Sequence, residues 1–433
     1  MKRRIEEDLA NWKNNPAKMP LVVLGARQVG KTHTILEFGK LNYKEVAVFN
    51  FEANKSLQAI FEDDMNPARI LAALSRHSLK TITPETLIFF DEIQACSKAL
   101  TSLKYFTEQV PEYCIIVAGS LLGVAVNREG FSFPVGKVNR LTMYPMDFEE
   151  FLTAFGEIRL IEAIKESYKA NAPLSANVHV HALNLYHVYL VTGGMPRAVS
   201  EYISKKDFDY VRVAQREILA DYDADMVKYA TKAESVKIRA VYESLPAQFA
   251  KENRKFQYRL IGSNARAATY EICLWWLKDA GLIYQCFKVK EGKIPLKSYF
   301  DLLSYKVYMS DVGLFGCAAD MPPAVVMSSA FGGEAKGGMT ENYIASQLVI
   351  SGLKPYYWES NSRAEIDFVL QIKDKVVPIE AKSGENTKAK SLSVFVNKYD
   401  IEYSIRVSAK NFGFGNGIKA VPLYAVFCIR QQP

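Results

Sequence analysis

An apolar run, LVVL (21–24), leads directly into GARQVGKT, Gly25 to Thr32, and then into THTILEFGK, which suits a helix. Strand, glycine-rich turn and helix in that order form the context a phosphate-binding loop requires. Gly25 and Gly30 allow backbone geometry that a Cβ would block. The stretch Gly25, Ala26, Arg27, Gln28, Val29, Gly30 then turns its N–H groups, with the following helix N-terminus, toward phosphate oxygens. Lys31 is expected to reach the β- and γ-phosphates, and Thr32 to give its hydroxyl to Mg²⁺.

Three further apolar runs follow, EVAVFNFE (45–52), TLIFFDE (86–92) and CIIVAGS (114–120). Runs of this kind fit strands buried on both faces of a parallel sheet, and the segments between them are long enough for helical crossovers. The fold class is therefore α/β, with a P-loop-type parallel sheet. LIFFDE ends in two carboxylates. Asp91 is expected to hold Mg²⁺, directly or through water, and Glu92 to polarise the attacking water, so that Lys31, Asp91 and Glu92 form the catalytic set of an ATPase. IIVAGS ends in Ser120, which either contacts the γ-phosphate or attacking water or is a plain strand-to-loop serine. ATP and Mg are the cofactors this pattern calls for.

The 433 residues suggest two to four domains. Lys+Arg 54 against Asp+Glu 47 leaves +7, a mildly basic balance that permits a nucleic-acid partner without demanding one. The six cysteines show no C-x-x-C spacing and there are five histidines, which argues against a structural zinc site or a disulfide scaffold. The start, MKRRIEEDLANWK, has charge but no apolar core after it, and CIIVAGSLLGVAV (114–126) is too short to span a bilayer. The expectation is a cytoplasmic protein with reduced thiols and no membrane partner.

Residues 151–250 read as mainly helical. Residues 251–310 hold eleven Lys/Arg and five Asp/Glu, a net of +6. Within them a helix ending near Ala280-Gly281 is expected to turn Ile272, Trp275, Trp276 and Leu277 inward, with Gly281 at its C-cap. The strands LIYQCFKV and YKVYMSDVGLF follow, and helix, strand, loop, strand is the outline of a winged helix. One reading places Arg266, Tyr270, Lys288, Lys290, Lys293 and Lys297 on the phosphates of double-stranded DNA. The other has this segment packing between domains with its lysines solvated. The stretch 321–339, rich in Gly, Ser and Pro, reads as a linker or loop.

AEIDFVLQIKDKVVPIEAKSG (364–384) reads as a hairpin turning near Lys373-Asp374. Side chains alternate along a strand, so Asp367, Glu380 and Lys382 can converge on one face. The carboxylate pair Asp367 and Glu380 can hold Mg²⁺ and present a water to a phosphodiester, with Lys382 orienting or deprotonating it. Glu341, opening the preceding helix, could add a ligand. A surface hairpin of alternating charges gives the same pattern. SLSVFVNKY (391–399) is expected to be a helix, and SIRVSA and LYAVFCI strands.

GARQVGKT, LIFFDEIQ, IVAGS, MYPMDFEEFL (143–152) and GGMPRAV (193–199) together resemble the AAA-type ATPases of the archaeal-ATPase-like group. The resemblance implies an ATPase core at 1–155, a helical lid at 156–234, a winged-helix domain at 235–320 and a restriction-endonuclease-like domain at 335–433. It further implies that Ser120 is the sensor residue and that Arg197 is the lid arginine that contacts nucleotide. The D…E-x-K pattern likewise resembles restriction-endonuclease-like nucleases. Where the family often has Gly-Arg, this chain has Gly136-Lys137, with Arg140 three residues on. Arg140 either completes a neighbour's site in a homo-oligomer or is solvated. Two functions stand against each other: an ATPase that binds and cuts DNA, and a nucleotide-dependent switch or scaffold whose later domains contact proteins. A metabolic kinase is a third and weaker reading.

Overall fold

The computed structural model describes residues 1–125, 133–249, 255–328, 331–360, 364–382 and 390–430. The chain divides into two compact units.

The first unit comprises Lys2–Tyr144 with Asp279–Gly281. It contains α1 (Ile5–Asn14), β1 (Leu21–Leu24), α2 (Lys31–Asn42), β2 (Glu45–Asn50), α3 (Pro67–Ser78), β3 (Thr86–Asp91), α4 (Ser97–Gln109), β4 (Cys114–Ala118), α5 (Leu122–Ala125) and β5 (Asn139–Thr142). The strands form a five-stranded sheet in the order β2-β3-β4-β1-β5, with every neighbouring pair parallel. All four apolar runs read from the sequence are strands of this sheet. The side chains of β3 and β4 are buried throughout, because helices cover the sheet, while Val48 on the edge strand β2 is exposed. Ile88, Phe90, Ile115 and Val117 pack with Ile70 and Leu74 of α3 and with Leu100, Leu103 and Phe106 of α4. Asn66 starts α3 by accepting from the Ala68 and Arg69 amides, with Pro67 as the first helical residue.

The second unit comprises Pro145–Lys278 and Leu282–Pro433, with Met1. Its helices are α6 (Phe148–Ala154), α7 (Ile158–Ala170), α8 (Ala176–Thr192), α9 (Pro196–Lys205), α10 (Phe208–Tyr229), α11 (Lys232–Phe249), α12 (Ala267–Asp279), α13 (Val312–Ala318), α14 (Pro323–Met327), α15 (Gly333–Ile350) and α16 (Lys390–Tyr399). Its strands are β6 (Ile283–Val289), β7 (Phe300–Met309), β8 (Tyr356–Glu359), β9 (Glu365–Ile372), β10 (Lys375–Ala381), β11 (Ser404–Ser408), β12 (Gly413–Gly415) and β13 (Ile418–Pro422). They make an eight-stranded mixed sheet in the order β12-β13-β11-β10-β9-β8-β6-β7. Asp147 and Glu150 form a reciprocal capping box that starts α6. Gly156, at φ +78°, ends the helical turn before α7.

Five expectations change. On α12, Cys273, Leu274, Trp276 and Leu277 are buried while Ile272 and Trp275 are 64% and 61% exposed. With 3.6 residues per turn, positions 273, 276, 277 and 280 share one face, and 272 and 275 fall off it. The stretch 321–339 is not a bare linker: it holds α14 and the first seven residues of α15. Glu341 therefore lies inside α15 rather than opening it. LYAVFCI does not extend as a strand; Leu423–Cys428 winds into a 3₁₀ helix after β13 ends at Pro422, and a short buried apolar run reads alike in either form. The second expected wing strand, 305–315, ends at Met309, because Asp311 caps α13 from Val312 on; β6 and β7 do pair antiparallel, but β6 also pairs parallel to β8, Phe287 against Tyr356, so the hairpin is the edge of the large sheet. No described helix is long and apolar enough to cross a membrane.

Candidate nucleotide site

The carboxyl ends of β1, β3 and β4 lie side by side in the first unit, and the residues that follow each strand form one cluster. Open parallel sheets bind ligands at that end. After β1 the backbone turns through Gly25 at φ +139°, Gln28 at φ +65° and Gly30 at φ +99°. A Cβ on Gly25 would lie 2.1 Å from the Met143 carbonyl oxygen, so the start of the loop admits glycine alone. Met143 in turn donates its amide to the Leu24 carbonyl at 2.8 Å. Gly281 approaches Ala26 from another part of the chain: its Cβ position lies 3.1 Å from the Ala26 nitrogen.

Lys31, the first residue of α2, is buried, and its Nζ donates to the Gly25 and Ala26 carbonyls at 2.8 Å each. The next residue, Thr32, lies against β3: its hydroxyl is 3.2 and 3.4 Å from the two Asp91 carboxylate oxygens. Asn50, at the end of β2, adds its Nδ2 at 3.4 Å from Asp91 Oδ2. Burial, then the neighbouring Glu92 charge, raise the Asp91 carboxyl above its usual pKa, against the Thr32 hydrogen bond. A buried carboxylate beside a hydroxyl is a hard-oxygen donor pair that a cation would relieve, and it suits Mg²⁺.

Glu92 sits at φ +48°, an uncommon backbone for a side chain with a Cβ. Its Oε2 accepts from Gln94 Nε2 at 2.5 Å, from the Ser120 amide at 3.2 Å and from the Ser120 hydroxyl at 3.1 Å. Gln94 is buried, and a Cβ on Gly119 would reach within 1.9 Å of its Oε1. The structure thus brings Lys31, Thr32, Asp91, Glu92 and Ser120 together. Sequence reasoning missed Asn50 and Gln94. Asn50 carried no signal; Gln94 was visible only as the residue two beyond the carboxylate pair.

Arg197 lies in the second unit, in the first turn of α9, and pairs with Glu217. The Gly193-Gly194 step ahead of it has a packing cause. A Cβ on Gly193 would meet Asp311 Oδ1 at 2.1 Å, one on Gly194 would meet the Met146 carbonyl at 2.0 Å, and the Gly194 amide donates to Asp311 Oδ2 at 2.6 Å.

Of the residues expected on DNA phosphates, Arg266, Lys290, Lys293 and Lys297 are exposed and Tyr270 is half-buried. Lys293 lies 3.7 Å from Glu291, and Lys288 is paired with Glu359 at 2.6 Å. Arg140, in the first unit, lies over the Phe133 ring at 4.2 Å.

The β9–β10 hairpin turns at Lys373-Asp374 as expected, with Lys375 opposite Ile372. Asp367 Oδ2 accepts from the Ala381 amide at 2.8 Å. Glu380 lies 3.3 Å from Lys382 and 3.5 Å from Arg406. Sequence reasoning missed Lys306 of β7. Its buried ammonium pairs with Glu341 at 2.9 Å and Glu365 at 2.6 Å, and Tyr308 donates to the same Glu341 oxygen at 2.5 Å. Among the described residues no group of three or more His, Cys, Asp or Glu could hold a metal. Ammonium and guanidinium groups already stand against Glu341, Glu365 and Glu380, whereas, among the described residues, Asp367 is held by a backbone amide alone.

Residues 17–152 match the family model described as an AAA domain. That segment is similar to P-loop ATPases, a nucleotide-binding class. Residues 183–324 and 336–426 of the chain match two models that are each described as a domain of unknown function. No curated protein matches. Among solved structures, the chain is similar to a Walker-type ATPase of Pyrococcus abyssi, at 17% identity, over 73% of this chain and 95% of that one, with a TM-score of 0.42. It is also similar to the Aeropyrum pernix ORC1 protein in complex with DNA (14% identity, 75% and 93% coverage, TM-score 0.30) and to AMPPCP-bound DnaA from Aquifex aeolicus (15%, 64% and 89%, 0.31).

Proposed function

We propose that the chain is a Mg²⁺-dependent ATP-binding protein and ATPase whose second unit binds double-stranded DNA. The observation that carries this is the convergence of Lys31, Thr32, Asp91, Glu92 and Ser120 at the ends of three adjacent parallel strands. Loop amides and Lys31 would hold the triphosphate, and Thr32 and Asp91 would hold Mg²⁺, which supplies charge neutralisation at the phosphates. Glu92 would orient the attacking water by accepting its hydrogen bond. Arg197 as a nucleotide-contacting arginine and Arg140 as a neighbour-completing one belong to this reading. The DNA part is supported by the net +6 of residues 251–310 and by the exposure of Arg266, Lys290, Lys293 and Lys297. DNA cleavage is not part of the proposal, because Lys306, Lys382 and Arg406 stand against Glu341 and Glu380, two of the three carboxylates it would use.

A second reading, the slowly hydrolysing switch or scaffold, is favoured by the three donors already bound to Glu92. Steady-state ATP turnover with and without duplex DNA separates the two. DNA stimulation supports the first, and bound nucleotide with negligible turnover the second. Lys31→Ala should abolish tight nucleotide uptake in either case; uptake at the level of the parent protein would reject the site.

A further inference from the structure

Arg3 precedes α1 by two residues, yet its side chain is buried, at 5% exposure. Nη1 donates to the Val29 carbonyl and Nη2 to the Tyr144 carbonyl, each at 2.7 Å. The residue is fixed from behind as well. Its amide donates to Glu6 Oε1 at 2.9 Å in the first turn of α1, and that helix is anchored by buried Ile5, Leu9 and Trp12. The Trp12 ring nitrogen donates to the Met19 carbonyl at 2.8 Å.

Val29 belongs to the phosphate loop. In a planar trans peptide the carbonyl of one residue and the amide of the next point in opposite directions. A guanidinium that captures the Val29 carbonyl therefore turns the Gly30 amide the other way. Gly30 stands at φ +99° just ahead of α2, and its own carbonyl accepts from the Thr34 amide at 3.0 Å. Its glycine backbone could tolerate the flipped peptide, so sequence alone does not hold this orientation. The flipped form would present a carbonyl oxygen where an anion has to sit. The bond to Tyr144 ties the same guanidinium to the residue next to Met143, whose carbonyl confines Gly25.

We infer that Arg3 is a positioning residue for the phosphate loop, holding the Val29–Gly30 peptide with its amide toward bound phosphate. The inference rests on the nucleotide-site reading above. It assigns the amino-terminal helix a part in nucleotide affinity. The planar fork of arginine spans two carbonyls, whereas lysine offers one compact charge, so Arg3→Lys should restore the function only in part.

The test uses the full chain, with Arg3→Met, Arg3→Lys and Lys31→Ala beside the parent, and reads a fluorescent ATP analogue with Mg²⁺, steady-state ATP turnover, and amide hydrogen exchange of residues 25–32 without nucleotide. Arg3→Met should raise the analogue Kd and the KM for ATP about tenfold, the loss of one charge-assisted bond, while kcat stays within about threefold. Arg3→Lys should fall between, and loop exchange should quicken in the same order. Parent-like Kd in either Arg3 variant, or a fall in kcat with Kd unchanged, overturns the inference. Should Arg3→Met fail to fold, Arg3→Lys decides: parent-like Kd and loop exchange overturn the inference, and intermediate values uphold it. Failure of the site itself reads differently: Lys31→Ala would bind the analogue as the parent does, and the exchange data would still judge Arg3, because unchanged exchange in both variants rejects it without reference to nucleotide.

Discussion

Glu92 and Ser120 meet across the ends of two adjacent parallel strands, where the Glu92 Oε2 accepts both the Ser120 amide at 3.2 Å and its hydroxyl at 3.1 Å. A carboxylate held this way has one oxygen committed to fixed donors and one left to face a reactant. If Glu92 orients the attacking water as proposed, Ser120 would act as its partner as much as a sensor of phosphate. Replacing Glu92 with Gln should lower kcat for ATP by about 10²–10⁴-fold, the usual range for a general base, with KM within a few-fold of the parent. Steady-state kinetics checks this, and an unaltered kcat removes Glu92 from the role.

Asp311 supplies a pH signature in the second unit. Burial pushes its carboxyl up to about 6, against hydrogen bonds from the Gly194, Leu314 and Gly313 amides. The folded chain then keeps a proton that the unfolded chain releases near 3.8, so stability should fall as pH rises between those values and level off above. The span corresponds to about 3 kcal/mol. Denaturant melts of parent and Asp311→Asn across this range should diverge in that sense; parallel curves would show that burial does not shift the Asp311 carboxyl on folding.

Lys306 neutralises two carboxylates from a side chain with almost no contact with solvent. Lys306→Ala should destabilise the second unit by about 3–5 kcal/mol, since it leaves buried charge uncompensated. Lys306→Met combined with Glu341→Gln should recover a large part of that loss, as a neutral pair needs no counter-charge. Urea unfolding followed by tryptophan fluorescence provides the measurement. A double variant no more stable than the single one would mean that the ion pair is not what Lys306 contributes.

Duplex binding, if the exposed lysines carry it, should respond to their number. Changing Lys290, Lys293 and Lys297 together to Gln should weaken binding and reduce the slope of log K against log salt by about one per lost phosphate contact. Lys288→Gln should change that slope little, because its ammonium already faces Glu359. A triple variant with the parent's slope places the DNA elsewhere or nowhere.

Much of the first unit was legible in the sequence because its signals are local. Four short, β-rich apolar runs separated by helical stretches fit the strands of a parallel sheet, and Gly25 and Gly30 announce a backbone that other residues resist. The carboxylates Asp91 and Glu92 were legible for the same reason, standing at the end of such a run. What escaped notice depends on residues far apart in the chain. Arg3 reaches Val29 across 26 positions and Tyr144 across 141, and nothing near Arg3 marks it as buried. Lys306 reads as one more surface lysine until β7 is placed beside α15. On α12, Ile272 and Trp275 have the chemistry of a core, but one helix face could not take them along with Cys273 and Leu277. LYAVFC shows the same ambiguity in another form, being apolar enough for either geometry.

The shared sheet has a practical consequence. Phe287 is bonded to Tyr356 in register, so the hairpin Ile283–Met309 and the strands beyond residue 355 complete one another's hydrogen bonding. Cutting the chain near 330 would strip β6 of a neighbour and bare a row of amides and carbonyls on either fragment, an invitation to stick to other chains. The last quarter of the chain is woven into what precedes it, and evolution could not have exchanged it as a detachable module without mending that seam.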